Sequence, residues 1–142
     1  VKNSKMMQIN TYLTFNGNCR EAMAFYQACL GGELMLQPID GSPLADQMPS
    51  EMKACILHST LIAEGFTLMG SDMAPEIGLV KGNAVSLMLN CSSEKEIEIT
   101  FAKLSEGGIV RHNLETTFWG ALFGDLTDKF GNNWLLHFSE NR

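Results

Sequence analysis

Little in this chain would hold it to a nucleic acid or a membrane. Ten Lys and Arg stand against 16 Asp and Glu, a formal net charge of −6 over 142 residues, and no local Lys/Arg cluster offsets the excess. Such a surface repels phosphate backbones and acidic lipid, so neither is an expected partner. No apolar run approaches the length that crosses a bilayer, and the N-terminus lacks the charged-then-apolar pattern of a secretory signal. A cytoplasmic location is expected. Cys19, Cys29, Cys55 and Cys91 show no C-x-x-C spacing and lie in apolar company, which predicts buried free thiols rather than a disulfide or a zinc site. Spacing alone supports no Ser/His/Asp order and no activated Cys/His pair.

What is present is an apolar share of 45%, enough for one domain with a real core. That domain is expected over residues 6–142, with Val1 to Lys5, ahead of Met6-Met7, an appended or frayed start. Inside it runs a repeat. "INTYLTFNGNCREAMAFYQACLGGELML" and "AVSLMLNCSSEKEIEITFAKLSEGGIVRH" share one order of parts: strand, polar turn, helix, double glycine, strand. Asn18 with Glu21, and Ser93 with Glu96, have the spacing of a capping box, predicting helices over Asn18 to Leu30 and Ser93 to Glu106. Gly31-Gly32 and Gly107-Gly108 then stop them. Ala22, Phe25, Tyr26 and Cys29 form one apolar stripe, and Ile97, Phe101 and Leu104 the other. Strand-like runs follow each helix: Glu33 to Ile39, Ala54 to Ala63 and Phe66 to Ser71, then Ile109 to Glu115, Ala121 to Thr127 and Asn133 to Phe138. The fold class is therefore α+β, two tandem β-α-β-β-β modules (7–71 and 82–139, with linker 72–81) forming curved mixed sheets around a concave cup.

Asp128 in "TDKFGNNWLLHF" tests whether this sequence holds an ion loop. A calcium loop needs oxygen ligands at alternate positions, and Lys129, Phe130 and Gly131 break that series. Asp128 to Asn132 is expected to be the turn of the last hairpin, with Asp128 accepting backbone N–H bonds.

The duplicated module resembles the vicinal oxygen chelate superfamily, and within it the PhnB-like branch. "YLTFNGNCREAMAFYQACLGGEL", "ILHSTLIAEGFTLMGSD" and "FWGALFGDLTDKFGNNWLLHF" carry the likeness, which extends from Met7 over almost the whole chain. The superfamily includes glyoxalase I, extradiol dioxygenases, fosfomycin-resistance enzymes and bleomycin-binding proteins. The branch has carried the label demethylubiquinone methyltransferase, yet no G-x-G-x-x-G for a nucleotide-type methyl donor occurs here. In metal-using members four ligands come from the first and last strand of each module. The matching positions fall near Asn10, Met69, Ala84 and Leu135, none a usual ligand of a divalent ion except, weakly, Asn10. No metal and no cofactor is expected. The resemblance also implies a homodimer, since members usually cover open sheet edges with a second copy, sometimes exchanging modules.

Strand alternation separates the faces without reference to any family. Ile9, Leu13 and Phe15 suit the helix-covered face, leaving Asn10, Tyr12 and Thr14 on the cup side. Cys55, Leu57 and Leu61 pack under the helix, leaving Ile56, His58, Thr60 and Ile62 opposite. Val85, Leu87 and Leu89 go to the core, Ser86 and Met88 to the cup, and Leu135 and His137 oppose Trp134, Leu136 and Phe138. His112, grouped with Val110 and Leu114, is read as structural, and Trp119 as an aromatic rim. The candidate ligand-binding set is Asn10, Tyr12, His58, Thr60, Met69, Ser86, Met88, Trp119, Leu135 and His137. Such a lining suits a small, partly apolar molecule with one or two hydrogen-bonding groups. The competing function is a lyase, isomerase or transferase with a metal at a non-standard site of His58, His137 and a carboxylate such as Glu115. A scaffold without ligand comes third.

Overall fold

Both copies of the repeat fold as read. In this computed structural model, which describes residues 6–140, they form two helix-backed sheets, and the expectation for Val1 to Lys5 lies outside the described residues. The first copy comprises β1 (Thr11–Thr14), α1 (Cys19–Leu30), β2 (Glu33–Pro38), β3 (Ile56–Ala63) and β4 (Phe66–Ser71). The second comprises β5 (Leu87–Asn90), α2 (Glu94–Ser105), β6 (Ile109–Thr116), β7 (Leu122–Thr127) and β8 (Asn133–Phe138). Each makes one four-stranded sheet, ordered β1-β4-β3-β2 and β5-β8-β7-β6. In each, the first strand pairs parallel with the last and the other pairs are antiparallel, so both sheets are mixed. The chain divides into two units, one through Leu79 and one from Val80.

Helix α1 packs on β2, β3 and β4, and α2 on β6, β7 and β8. From α1 the buried stripe is Cys19, Ala22, Met23, Tyr26 and Cys29. Met23 takes the place expected for Phe25, which is only half-buried. From α2 the buried residues are Ile97, Phe101 and Leu104. Gly124 of β7 lies beneath Phe101: a Cβ there would come 3.0 Å from the Phe101 ring and 3.0 Å from Leu114 Cδ2. The helix can settle against the sheet because this position has no side chain.

The two helix N-termini are secured differently. Ser93 Oγ accepts from Glu96 N at 3.0 Å, and Glu96 reaches back to Ser92, accepting from its backbone N at 2.7 Å and its hydroxyl at 2.9 Å. This is the expected box, displaced by one residue on its return side. Those bonds from Ser92, backbone first, hold the Glu96 carboxyl below the usual carboxylate range. In the first copy the box does not form, because Asn18 makes no side-chain cap bond. Its place is taken from the far end of the unit. Buried Asp72, just past β4, accepts from Gly17 N (2.8 Å) and Cys19 N (3.0 Å) through Oδ1, and from Ile56 N (2.8 Å) through Oδ2. One carboxylate thus caps α1, meets the positive end of its dipole and fixes the start of β3.

Asp128 behaves as the turn reading requires. Its Oδ1 accepts from Phe130 N at 2.8 Å and Asn132 N at 3.1 Å, and its Oδ2 also accepts the Trp134 indole N–H at 2.8 Å.

Candidate functional site

Residues opposite one another on neighbouring strands share a face, so the register sorts the candidates. Away from α1, the row Tyr12, Met69, Thr60, Met35 crosses the first sheet. Tyr12 is half exposed, and its ring centroid lies 6.1 Å from that of His58. Asn10 precedes β1 and is exposed. Ile9, expected under the helix, is 97% exposed, because the strand begins only at Thr11 and alternation does not reach it. A second departure arises at Leu57. Between Gln37 and Pro38 the partner changes from His58 to Ile56, so β3 carries one extra residue. This bulge reverses the pleat: Ile56 is fully buried, while Cys55 is the more exposed of the two.

On the second sheet, the face away from α2 carries two rows. Met88, Leu135, Asp125 and His112 form one, and Asn90, His137, Phe123 and Glu115 the other. His137 Nδ1 lies 3.1 Å from Asn90 Oδ1. The parallel register makes Met88 opposite Leu135 the counterpart of Tyr12 opposite Met69. Asn10 is therefore matched by Ser86, and Ala84 lies two residues further out. His137 and Glu115, two donors of the metal alternative, share a row with Phe123 between them; His58 belongs to the other unit. Among the described residues no three His, Cys, Asp or Glu side chains gather as a metal-ligand set.

His112 does not take the face that strand alternation gave it. The β6 register slips between Val110 and His112 and again between His112 and Glu115. After the first slip two β6 residues, Arg111 and His112, oppose the single residue Asp125, and His112 turns to the open face. Its Nδ1 lies 2.8 Å from Asp125 Oδ1, with the His side chain 79% and the Asp side chain 20% exposed. A hollow of about 410 Å³ opens beside this pair, with Phe123 and Leu135 as its apolar part and His112, Asn113 and Glu115 among its polar part. A neighbouring hollow of about 220 Å³ includes Ser86, Asn83 and Arg111, and shares Asp125 and Leu135 with the first. Ser86 and Leu135 of the candidate set thus line hollows, and Arg111, His112, Phe123 and Asp125, which stand outside that set, line them too. One signal was available: three consecutive polar residues, Arg111-His112-Asn113, break the apolar/polar alternation of a half-buried strand. Trp119 and Phe118 stack edge to face at 4.8 Å on the β6–β7 hairpin, both exposed.

Two mixed four-stranded sheets, each backed by one helix and open on the other face, define the glyoxalase/bleomycin resistance fold. A glyoxalase/bleomycin resistance protein/dioxygenase family enzyme from Burkholderia phytofirmans shares it at a TM-score of 0.61 and 12% identity, over 90% of this chain and 96% of that one. Residues 7–137 match the family described as 3-demethylubiquinone-9 3-methyltransferase, and the chain belongs to this PhnB-like family. Protein YjdN of Escherichia coli is 32% identical over 92% of this chain and 95% of its own. Protein PA1353 from Pseudomonas aeruginosa superposes at a TM-score of 0.84 with 41% identity, covering 94% of this chain and 98% of that one. A Bacillus cereus PhnB protein, described as a putative 3-demethylubiquinone-9 3-methyltransferase, does so at 0.74 with 26% identity, covering 94% and 100%.

Proposed function

We propose that this PhnB-like protein binds a small, partly apolar molecule on the open face of its second sheet. The observation that carries this reading is the hollow of about 410 Å³ in which apolar Phe123 and Leu135 adjoin polar His112, Asn113 and Glu115. An apolar surface with a few polar groups at its border is the usual make-up of a small-molecule site. Met88, across the strand from Leu135, and His137, across from Phe123, extend the same surface. Tyr12, His58, Thr60 and Met69, with Asn10 ahead of them, give the open face of the first sheet a similar mixture, and Trp119 offers an aromatic surface on a hairpin tip.

Leu135→Trp tests the reading, because an indole would occupy the hollow without touching the α2 side of the sheet. In a fragment screen by thermal shift, compounds that stabilise the parent are expected to lose their effect in this variant. Hits that stabilise both proteins equally would place binding elsewhere and refute the proposal.

The same reading includes a homodimer. Tyr12, Met35 and Ile62 on the open face of the first sheet are each at least half exposed, an apolar surface that a second copy would cover. Sedimentation at micromolar protein is expected to show the dimer, and a monomer there would contradict it.

A further inference from the structure

The edge strand β6 departs twice from regular pairing, and both departures bring polar side chains to one place. A bulge sets two residues against one and re-aims their side chains, and such features concentrate at sheet edges and beside active sites. Here the first bulge brings Arg111 and His112 against Asp125, and the second brings Asn113 and Leu114 against Gly124. Leu114 takes the side of α2, near Gly124 and Phe101. Arg111, His112, Asn113 and Glu115 all line hollows on the open face. A regular strand would have sent about half of them to the other side.

We propose that these two hollows are one bipartite site for a small carboxylate that also carries a hydroxyl group, with Arg111 taking the carboxylate and His112 the hydroxyl. This rests on the binding reading above and specifies its ligand. Because Asp125 and Leu135 line both hollows, the two are contiguous, and one ligand can lie across Leu135 with an end in each. Arg111 is exposed and forms no ion pair among the described residues, so its guanidinium keeps the fork that recognises a carboxylate. Asn83 and Ser86 beside it add neutral hydrogen-bonding groups.

At the other end the Asp125 carboxylate, 2.8 Å from Nδ1, can only accept, so a neutral His112 carries its proton on Nδ1. Nε2 is then left as an acceptor for a ligand O–H. Glu115 stands at that end, and its negative charge directs the ligand carboxylate toward Arg111. Leu135 and Phe123 supply the apolar contact for the body between the two groups.

The test uses the full-length protein and three probes: 4-hydroxybenzoate, benzoate and 4-hydroxybenzamide. Titration calorimetry is expected to show 4-hydroxybenzoate binding at least about tenfold more tightly than 4-hydroxybenzamide, the ratio for one charge-assisted hydrogen bond, and about fivefold more tightly than benzoate, the ratio for one neutral hydrogen bond. Arg111→Gln should weaken the two carboxylates about tenfold and leave the amide unchanged. His112→Phe should weaken the two hydroxylated probes and leave benzoate unchanged. Both side chains are exposed, and circular dichroism checks that the variants fold. Equal affinities for all three probes, no binding of any, or variants that weaken every probe alike would overturn the proposal. Loss of fragment binding in Leu135→Trp without the Arg111 and His112 selectivities would leave the broader reading standing and remove this one.

Discussion

Replacing Asp72 by Ala tests how the first unit is held together, because one buried carboxylate joins three segments. It accepts from the backbone N–H groups of Gly17, Cys19 and Ile56, at 2.8, 3.0 and 2.8 Å. A hydrogen bond to a charged group is worth roughly 1.5–3 kcal/mol, and buried donors left without a partner are destabilising in their own right. The three bonds do not add fully, since two share one oxygen and water can enter the space left by the side chain. The expected loss is about 4 kcal/mol, with Asp72→Asn nearly as damaging because its NH2 group would face a backbone N–H. Urea unfolding of both variants measures the total, and native-state amide exchange at Gly17, Cys19 and Ile56 locates it. A loss below about 1 kcal/mol, or unchanged exchange at those three amides, would refute the assignment of Asp72 as the cap.

Two further outcomes follow from ionisable groups. Burial pushes the thiols of Cys19 and Cys91 up to about 11, the Cys19 shift opposed by its hydrogen bond with Ser59. At about pH 8 iodoacetamide should therefore label Cys55, the one cysteine not buried, well before Cys19 or Cys91; equal rates at all three would contradict their burial. Glu96, with its carboxyl held below the ordinary range by Ser92, contributes stability that is complete above its unfolded pKa and is lost as pH falls through the lowered one. Relative to Glu96→Gln, the parent should lose stability between about pH 6 and about pH 3 in thermal melts followed by circular dichroism. A constant difference across that window would refute the linkage.

Much of this fold was legible because its signals are local. The Ser93 cap, the glycine stops, the stripe of Ile97, Phe101 and Leu104, and the Asp128 turn all depend on residues close in sequence. Gly31 shows how local the stop is: its φ of 82° and ψ of −171° fall in a region open essentially to glycine alone. What escaped was set by contacts distant in sequence. Asp72 reaches Gly17 across 55 positions, and no pattern around Asn18 announces that its cap will come from elsewhere. The face assignments failed wherever a strand ended early or bulged. Ile9 lies before β1, Ile56 is cut off from the rest of β3 by the bulge at Leu57, and His112 follows the first slip in β6. Strict alternation assumes one residue per step, and each extra residue inverts the side chains beyond it. The proposed site depends most on the first β6 slip, since Arg111, His112 and Asp125 become neighbours through it.

Methionine-methyl NMR with a fragment mixture tests the binding claim most directly, because the methionines report on both sides of the sheets. Met88 lies on the open face opposite Leu135, whereas Met23 is fully buried on α1. Binding on the open face of the second sheet predicts that bound fragments shift the Met88 methyl resonance, leave Met23 in place, and lose the Met88 shift in Leu135→Trp. A Met88 signal that stays fixed while fragments bind, or one that still shifts in Leu135→Trp, would contradict the account.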